Sequence, residues 1–234
     1  MPLAVAVDRH RAESPRTRLQ RGRAIASGLF ITFEGVEGAG KSTQIRLLHD
    51  YLSETTIPFI FTREPGGTPL GEKLRQLLID PLGQMAPEAE ALILNASRAE
   101  LVDKVIEPGL ADGRIVICDR FWDATLAYQG FGRGLPVETL LTMCMFAARR
   151  LQPDLTFLLD VSTAVSHERL TSRSAIPDRM EREPSSFHQR VADGYRRLAN
   201  AEPQRFVVID GTRAMDEIAV EVRQTVLSRW QATR

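Results

Sequence analysis

Short, nearly uninterrupted apolar runs recur along the chain at residues 29–34, 57–62, 114–119, 154–160 and 205–209. A strand buried on both faces shows such a run rather than an apolar–polar alternation, so these segments predict the strands of a parallel sheet. Between them the apolar positions switch to helical spacing, at 43–52, 69–79, 87–107, 136–150, 184–200 and a last stretch reaching Trp230. Ile45, Leu48 and Leu52 mark the first helix, and Leu70, Leu74, Leu77 and Leu78 one side of the second. Pro87 is placed to open the third and Pro108 to end it. Strand and helix alternating in this way predict an α/β fold, a five-stranded parallel sheet with helices on both faces. The 234 residues suffice for one such domain, spanning 28–234.

Two helices break the pattern in ways that carry information. Ala91, Leu94, Leu101 and Val105 form the stripe of the third helix, and the one charged residue on that line is Arg98. A guanidinium turned inward needs an anionic or acceptor partner, either a ligand or an internal carboxylate such as Glu64 or Asp119. The helix at 136–150 has apolar residues nearly all round, which predicts burial, against another subunit included. Its Met143 and Met145 read as packing.

The turn between the first strand and the first helix reads Gly35-Val36-Glu37-Gly38-Ala39-Gly40-Lys41-Ser42. Two glycines separated by four residues and followed by Lys and Ser make a phosphate loop, and here a strand precedes it and a helix follows. Gly35, Gly38 and Gly40 let successive backbone N–H groups turn toward an anion at the helix start. Lys41 reaches the β- and γ-phosphates, and the Ser42 hydroxyl binds the Mg²⁺ that bridges them. The loop through Thr43 is therefore the ATP site, and the sheet has a phosphate-loop NTPase fold.

Charge sharpens this picture at three strand ends. The second strand runs into Arg63-Glu64-Pro65-Gly66-Gly67-Thr68 and the third into Asp119-Arg120-Phe121, at the edge where open α/β sheets bind ligands. After the fourth, Arg169, Arg173, Arg179 and Arg182 fall close together and suggest a mobile arginine-rich lid at about 170–184. The chain as a whole carries 30 basic and 30 acidic residues, so its net charge points to neither nucleic acid nor membrane. Cys118 and Cys144 are the only cysteines and form no CxxC, against a disulfide framework or zinc and in keeping with a reducing cytoplasm. No apolar run approaches the roughly 18 residues of a membrane span. Residues 1–27 are arginine-rich without an apolar period and read as a disordered extension, with a transit peptide as the alternative.

Taken together, the phosphate loop with Phe33 and Glu34 before it, Thr62-Arg63-Glu64-Pro65-Gly66-Gly67-Thr68, Asp119-Arg120-Phe121, Ala127-Tyr128-Gln129-Gly130 and Pro177-Asp178-Arg179 resemble the thymidylate kinase family, from about Leu29 to Trp230. The resemblance implies transfer of the ATP γ-phosphoryl to dTMP, giving dTDP and ADP, by a magnesium-dependent homodimer. It implies that Glu37 holds the deoxyribose 3′-hydroxyl, Arg63 and Arg120 grip the monophosphate, and Arg98 bonds the thymine O4. Thr125 would read the base, and Tyr128 would crowd a ribose 2′-hydroxyl. With no arginine in the loop, the lid arginines Arg173 and Arg179 would supply the charge around the transferring group, as in the bacterial members. Lys41, Arg120 and these two lid arginines are thus the candidate catalytic cations, and Asp119 either holds a magnesium-bound water or orients Arg120.

Two positions depart from the family pattern. Ala124 stands where a Ser is usual, and Leu94 where a Phe stacks on thymine. Lost stacking costs about 1–3 kcal/mol, and charge-assisted bonds to the phosphate from Arg63 and Arg120 are at least as large together. A kinase for another nucleoside monophosphate therefore stays open, as does a regulatory ATPase without an acceptor.

Overall fold

The computed structural model describes residues 28–172 and 177–234. Residues 1–27 and Arg173 of the expected lid lie outside the described residues. The strands β1 (Leu29–Glu34), β2 (Phe59–Arg63), β3 (Ile115–Asp119), β4 (Leu155–Asp160) and β5 (Phe206–Asp210) form one sheet in the order β2-β3-β1-β4-β5. Every pairing is parallel. The helices are α1 (Lys41–Ser53), α2 (Pro69–Ile79), α3 (Pro87–Leu101), α4 (Glu107–Ala111), α5 (Trp122–Thr125), α6 (Val137–Ala147), α7 (Thr163–Thr171), α8 (Ser185–Ala201) and α9 (Met215–Ala232).

Burial on both faces explains the solid apolar runs. Leu29, Ile31 and Phe33 of β1 pack with Leu48 of α1, Val191 of α8 and Val222 of α9. Phe30, one residue out of phase, packs on the other face with Leu101, Ile106 and Cys144. The central position of β1, between β3 and β4, puts its carboxyl end at the crevice where the connections diverge to either side. The phosphate loop starts there.

Several boundaries and faces differ from the expectation. Strand β2 begins at Phe59, because Pro58 has no N–H for the ladder and contributes only its carbonyl, which accepts from Ile115. The third helix does not stop before Pro108. A π-helical turn at Val102–Ile106 widens the backbone, and α4 carries Pro108 in its first turn, where a missing N–H costs nothing. A second π-helical segment, Leu126–Gly132, continues α5, so Tyr128 and Gln129 project from a helix. Its Gly132 serves close packing: a Cβ there would lie 2.6 Å from the ring of Phe187 on α8.

Helix α2 turns a different side inward than its leucines suggest. Gly71 and Leu78 are buried while Leu70 and Leu77 stand in solvent. Helix α6 is covered on one side only, through Leu140, Cys144 and Ala147, and leaves Phe146 88% exposed. Within this chain its expected burial is therefore half met.

Candidate active site

The phosphate loop has the backbone its glycines allow. Gly35, Gly38 and Gly40 all have positive φ, of 135°, 73° and 103°. At Gly35 space matters as well, since a Cβ would sit 2.5 Å from the carbonyl of Leu159, whereas at Gly40 nothing lies within 4 Å and only the dihedral demands glycine. Gly40 caps α1, whose first residue is Lys41. The Lys41 ammonium donates to the carbonyls of Gly35 and Val36, both at 2.9 Å, inside the curl of the loop. Burial lowers its pKa to about 8, with Arg120 adding to the shift and Asp119, Glu37 and Glu34 opposing it. Ser42 follows, exposed on the first turn of α1. Outside the loop, Arg169 of α7 donates to the carbonyls of Gly38 and Gly211, so this member of the arginine run clamps backbone.

Arg120 is the hub of the site. It follows β3 in the left-handed region, at φ 69°, a conformation that costs a non-glycine residue about 1–3 kcal/mol. The strain is held from both sides: its N–H donates to Phe33 at the end of β1, and Cys118 donates its thiol hydrogen to the Arg120 carbonyl. This backbone aims the guanidinium at the loop. It donates to Glu37 at 3.0 Å, to the Tyr128 hydroxyl at 3.1 Å and to the Tyr195 hydroxyl at 2.9 Å. Burial pushes the Glu37 carboxyl up, but Arg120, Lys41 and the bonded Tyr128 more than offset it and hold Glu37 below its usual range. Tyr195, which the sequence did not single out, also donates to Glu34, a fully buried carboxylate that additionally accepts the N–H of Phe121. Burial, with Asp123 adding, raises the pKa of Glu34.

Beyond Arg120 a cavity opens to solvent, enclosing about 700 Å³ when the space at its mouth is counted. Of the expected acceptor residues, Glu37, Leu94, Arg98, Arg120, Thr125 and Tyr128 line it, and Ala124 does too. Arg98 is 1% exposed and bonded to Glu64, through Nε at 2.9 Å and Nη2 at 2.7 Å, and to the Thr125 hydroxyl at 3.0 Å. The internal partner considered for it is thus present, while the guanidinium still borders the cavity.

Arg63 is placed differently. It is half-exposed, pairs with Glu72 of α2 at 2.9 Å, and is not part of the lining. Arg75, one turn further along α2, lines the cavity instead and donates to the Pro65 carbonyl. Burial lowers the pKa of Arg75, and the nearby charge of Arg63 lowers it further, so two cations stand close enough to repel. Arg75 lies three residues before Leu78, the buried leucine of α2, which turns it toward the interior side of the helix.

Asp119 ends β3 beside the loop, in register with Phe33 of β1 and Arg63 of β2. Its Oδ1 is buried without a protein partner. An orphaned hard oxygen close enough to Lys41 to act on its charge suits a Mg²⁺ that keeps most of its ligands as water and phosphate. Among the described residues no group of three or more His, Cys, Asp or Glu side chains could hold a metal by protein ligands alone.

A model of the thymidylate kinase family matches residues 33–222. The chain belongs to the thymidylate kinase family. It is 48% identical over 199 residues to a thymidylate kinase of Symbiobacterium thermophilum, covering 85% of this chain and 92% of the relative. It is 49% identical over 196 residues to that of Carboxydothermus hydrogenoformans, covering 84% and 95%. The crystal structure of thymidylate kinase from Ehrlichia chaffeensis superposes with a TM-score of 0.69 at 35% identity, over 86% of this chain and 99% of that one. The phosphate-loop fold read from the sequence is the fold of this family, and its members are nucleoside monophosphate kinases.

Proposed function

We propose that the protein transfers the γ-phosphoryl group of ATP to the phosphate of dTMP, giving dTDP and ADP. The observation that carries this reading is Arg120, joined to Glu37 of the phosphate loop on one side and bordering the lined cavity on the other. A triphosphate seated on the loop and a monophosphate in the cavity would meet at that guanidinium. The acceptor is already ionised, so positioning and charge neutralisation suffice without a strong base. Lys41 and Arg120 supply fixed charge. Arg75, with Arg63 beside it, supplies the cationic end of the acceptor pocket, and their mutual repulsion is relieved by an anion between them.

Ser42 and Asp119 would hold the Mg²⁺, directly or through water. When bound, the ion neutralises charge on the β- and γ-phosphates. Among the described residues no helix is long and apolar enough to cross a membrane. We assign the enzyme to the cytoplasm and to a homodimer, and the solvent-facing Phe146 of α6 supports the latter.

A panel of dTMP, dUMP, dCMP and dGMP in a coupled ADP-release assay tests the reading. dTMP should give the highest kcat/KM, with its margin over dUMP narrowed because Leu94 cannot stack as an aromatic ring would. Equal ADP release with and without any monophosphate would instead favour an ATPase lacking an acceptor.

The buried ammonium of Lys41 gives a pH prediction. The triphosphate needs the charged form. Below about pH 8 the free enzyme already carries that proton. Above it, binding must first take one up, at about a tenfold loss of affinity per pH unit. ATP affinity measured by titration calorimetry should therefore be flat at neutral pH and fall as the pH rises past about 8. Lys41→Met should bind more weakly and lose this alkaline limb.

A further inference from the structure

Glu90 lies in the first turn of α3, far from the phosphate loop in sequence, where an acid would ordinarily face solvent and favour the helix dipole. Here it is 1% exposed and lines the acceptor cavity. Four donors on two separate segments converge on its carboxylate. Gln129 donates from the π-helical segment, and Arg133 just after it donates through Nη2 at 3.2 Å and Nε at 3.4 Å. Arg179 donates through Nη1 at 2.5 Å from the lid. The two arginines extend the contact in opposite directions. Arg179 also donates through Nε to the Leu78 carbonyl at the end of α2, at 3.0 Å, and Arg133 donates through Nη1 to Glu183, at 2.6 Å. Lid residues Asp178, Arg179 and Met180 line the same cavity as Leu94 and Arg98.

We propose that Glu90 is the latch of the lid: a positioning residue that, through Arg179 and Arg133, holds Asp178 to Glu183 shut across the acceptor cavity. Arg179 then works as the pin of this latch, with two of its nitrogens committed to α2 and α3, rather than as a charge on the transferred phosphoryl. The latch rests on the dTMP kinase reading for its effect on turnover, although its geometry does not. A buried carboxylate serving two guanidinium groups is costly to lose, because each cation left behind is partly buried. Losing it should open the cavity, weaken acceptor binding and admit water to compete with the acceptor.

The experiment compares Glu90→Gln, Arg179→Met and the double variant with the full-length wild type. Three quantities are read: KM for dTMP against kcat, ADP released per dTDP formed, and amide hydrogen exchange at 178–183. Each single variant should raise KM for dTMP about tenfold or more, raise the ADP to dTDP ratio, and speed exchange in that segment. The double variant should be no worse than the worse single, within about threefold, since both changes undo one contact. Effects that multiply would overturn the proposal and place Arg179 on the phosphates, as would Arg179→Met cutting kcat a hundredfold while Glu90→Gln stays near wild type. Should Glu90→Gln fail to fold, Arg133→Met provides the second arm, and unchanged exchange at 178–183 in it would sink the latch. If the wild type itself does not phosphorylate dTMP, the kinase reading fails, and the exchange measurement still decides the latch alone.

Discussion

Arg120→Ala should lower kcat by about a thousandfold, on the scale of removing one preorganised charge from a phosphoryl-transfer site. The side chain touches Glu37, Tyr128 and Tyr195 at once, and its guanidinium lies 4.8 Å over the Tyr128 ring. Its charge is secure, for although burial acts against it, the surrounding acidic and phenolic groups hold its pKa well above the ordinary value. Arg120→Lys should recover only a small part of the activity, because an ammonium keeps the charge but cannot span three acceptors in a planar fork. Single-turnover kinetics with ATP and dTMP would read the chemical step directly. A variant whose kcat stays within about threefold of wild type, with only KM for dTMP raised, would show that Arg120 binds the acceptor equally in ground and transition states. The fold should survive. Alanine keeps the bonds that Phe33 and the Cys118 thiol make to the backbone of residue 120, but it leaves Glu37 without this counter-charge, so a lowered melting temperature with the native fold retained is expected alongside the lost rate.

That same left-handed residue shows where sequence stops being enough. Asp119-Arg120-Phe121 at a strand end locates an arginine at the ligand edge, but nothing in three letters says that φ is 69° or that the side chain points at Glu37. The strands were legible because two-sided burial writes itself as solid apolar runs, and the phosphate loop because its glycines answer a local demand of the backbone. Tertiary pairing is what hid the rest. Arg75 sits among Glu72, Lys73 and Gln76 and reads as part of a solvated face, although it borders the cavity. Glu90 reads as a favourable acid at a helix start, and its partners lie 39, 43 and 89 residues away. Arg63 matched a motif yet turned to Glu72, nine residues on, which a helix beginning at Pro69 brings alongside. The two π-helical turns have no pattern of their own. One lies at Val102–Ile106, and the other, Leu126–Gly132, carries Tyr128 and Gln129.

Glu64→Leu should cost about 3–5 kcal/mol of stability, the usual cost of breaking one side of a buried ion pair. Arg98 would be left 1% exposed with only Asn95, Thr125 and the Cys144 sulfur to accept from it. Against a typical stability of about 5–15 kcal/mol, such a loss is severe. Burial raises the Glu64 pKa to about 7 while the Arg98 charge and hydrogen bonds pull it back, so the pair is held with little to spare. The companion change separates what Arg98 does for the fold from what it does for the ligand. In Glu64→Leu/Arg98→Met neither half of this ion pair is left unpartnered, and replacing a buried ion pair by apolar groups of similar size is often close to neutral. Urea denaturation should therefore show the double variant recovering most of the stability lost in the single one. If Arg98 reads the base, the double variant should fold and still lose its preference for dTMP over dCMP by about tenfold or more. A refolded double variant that keeps wild-type kcat/KM for dTMP would leave Arg98 as a purely internal partner of Glu64, and would move base recognition to Thr125 and to Gln129, whose Oε1 is buried at the cavity wall without a protein partner.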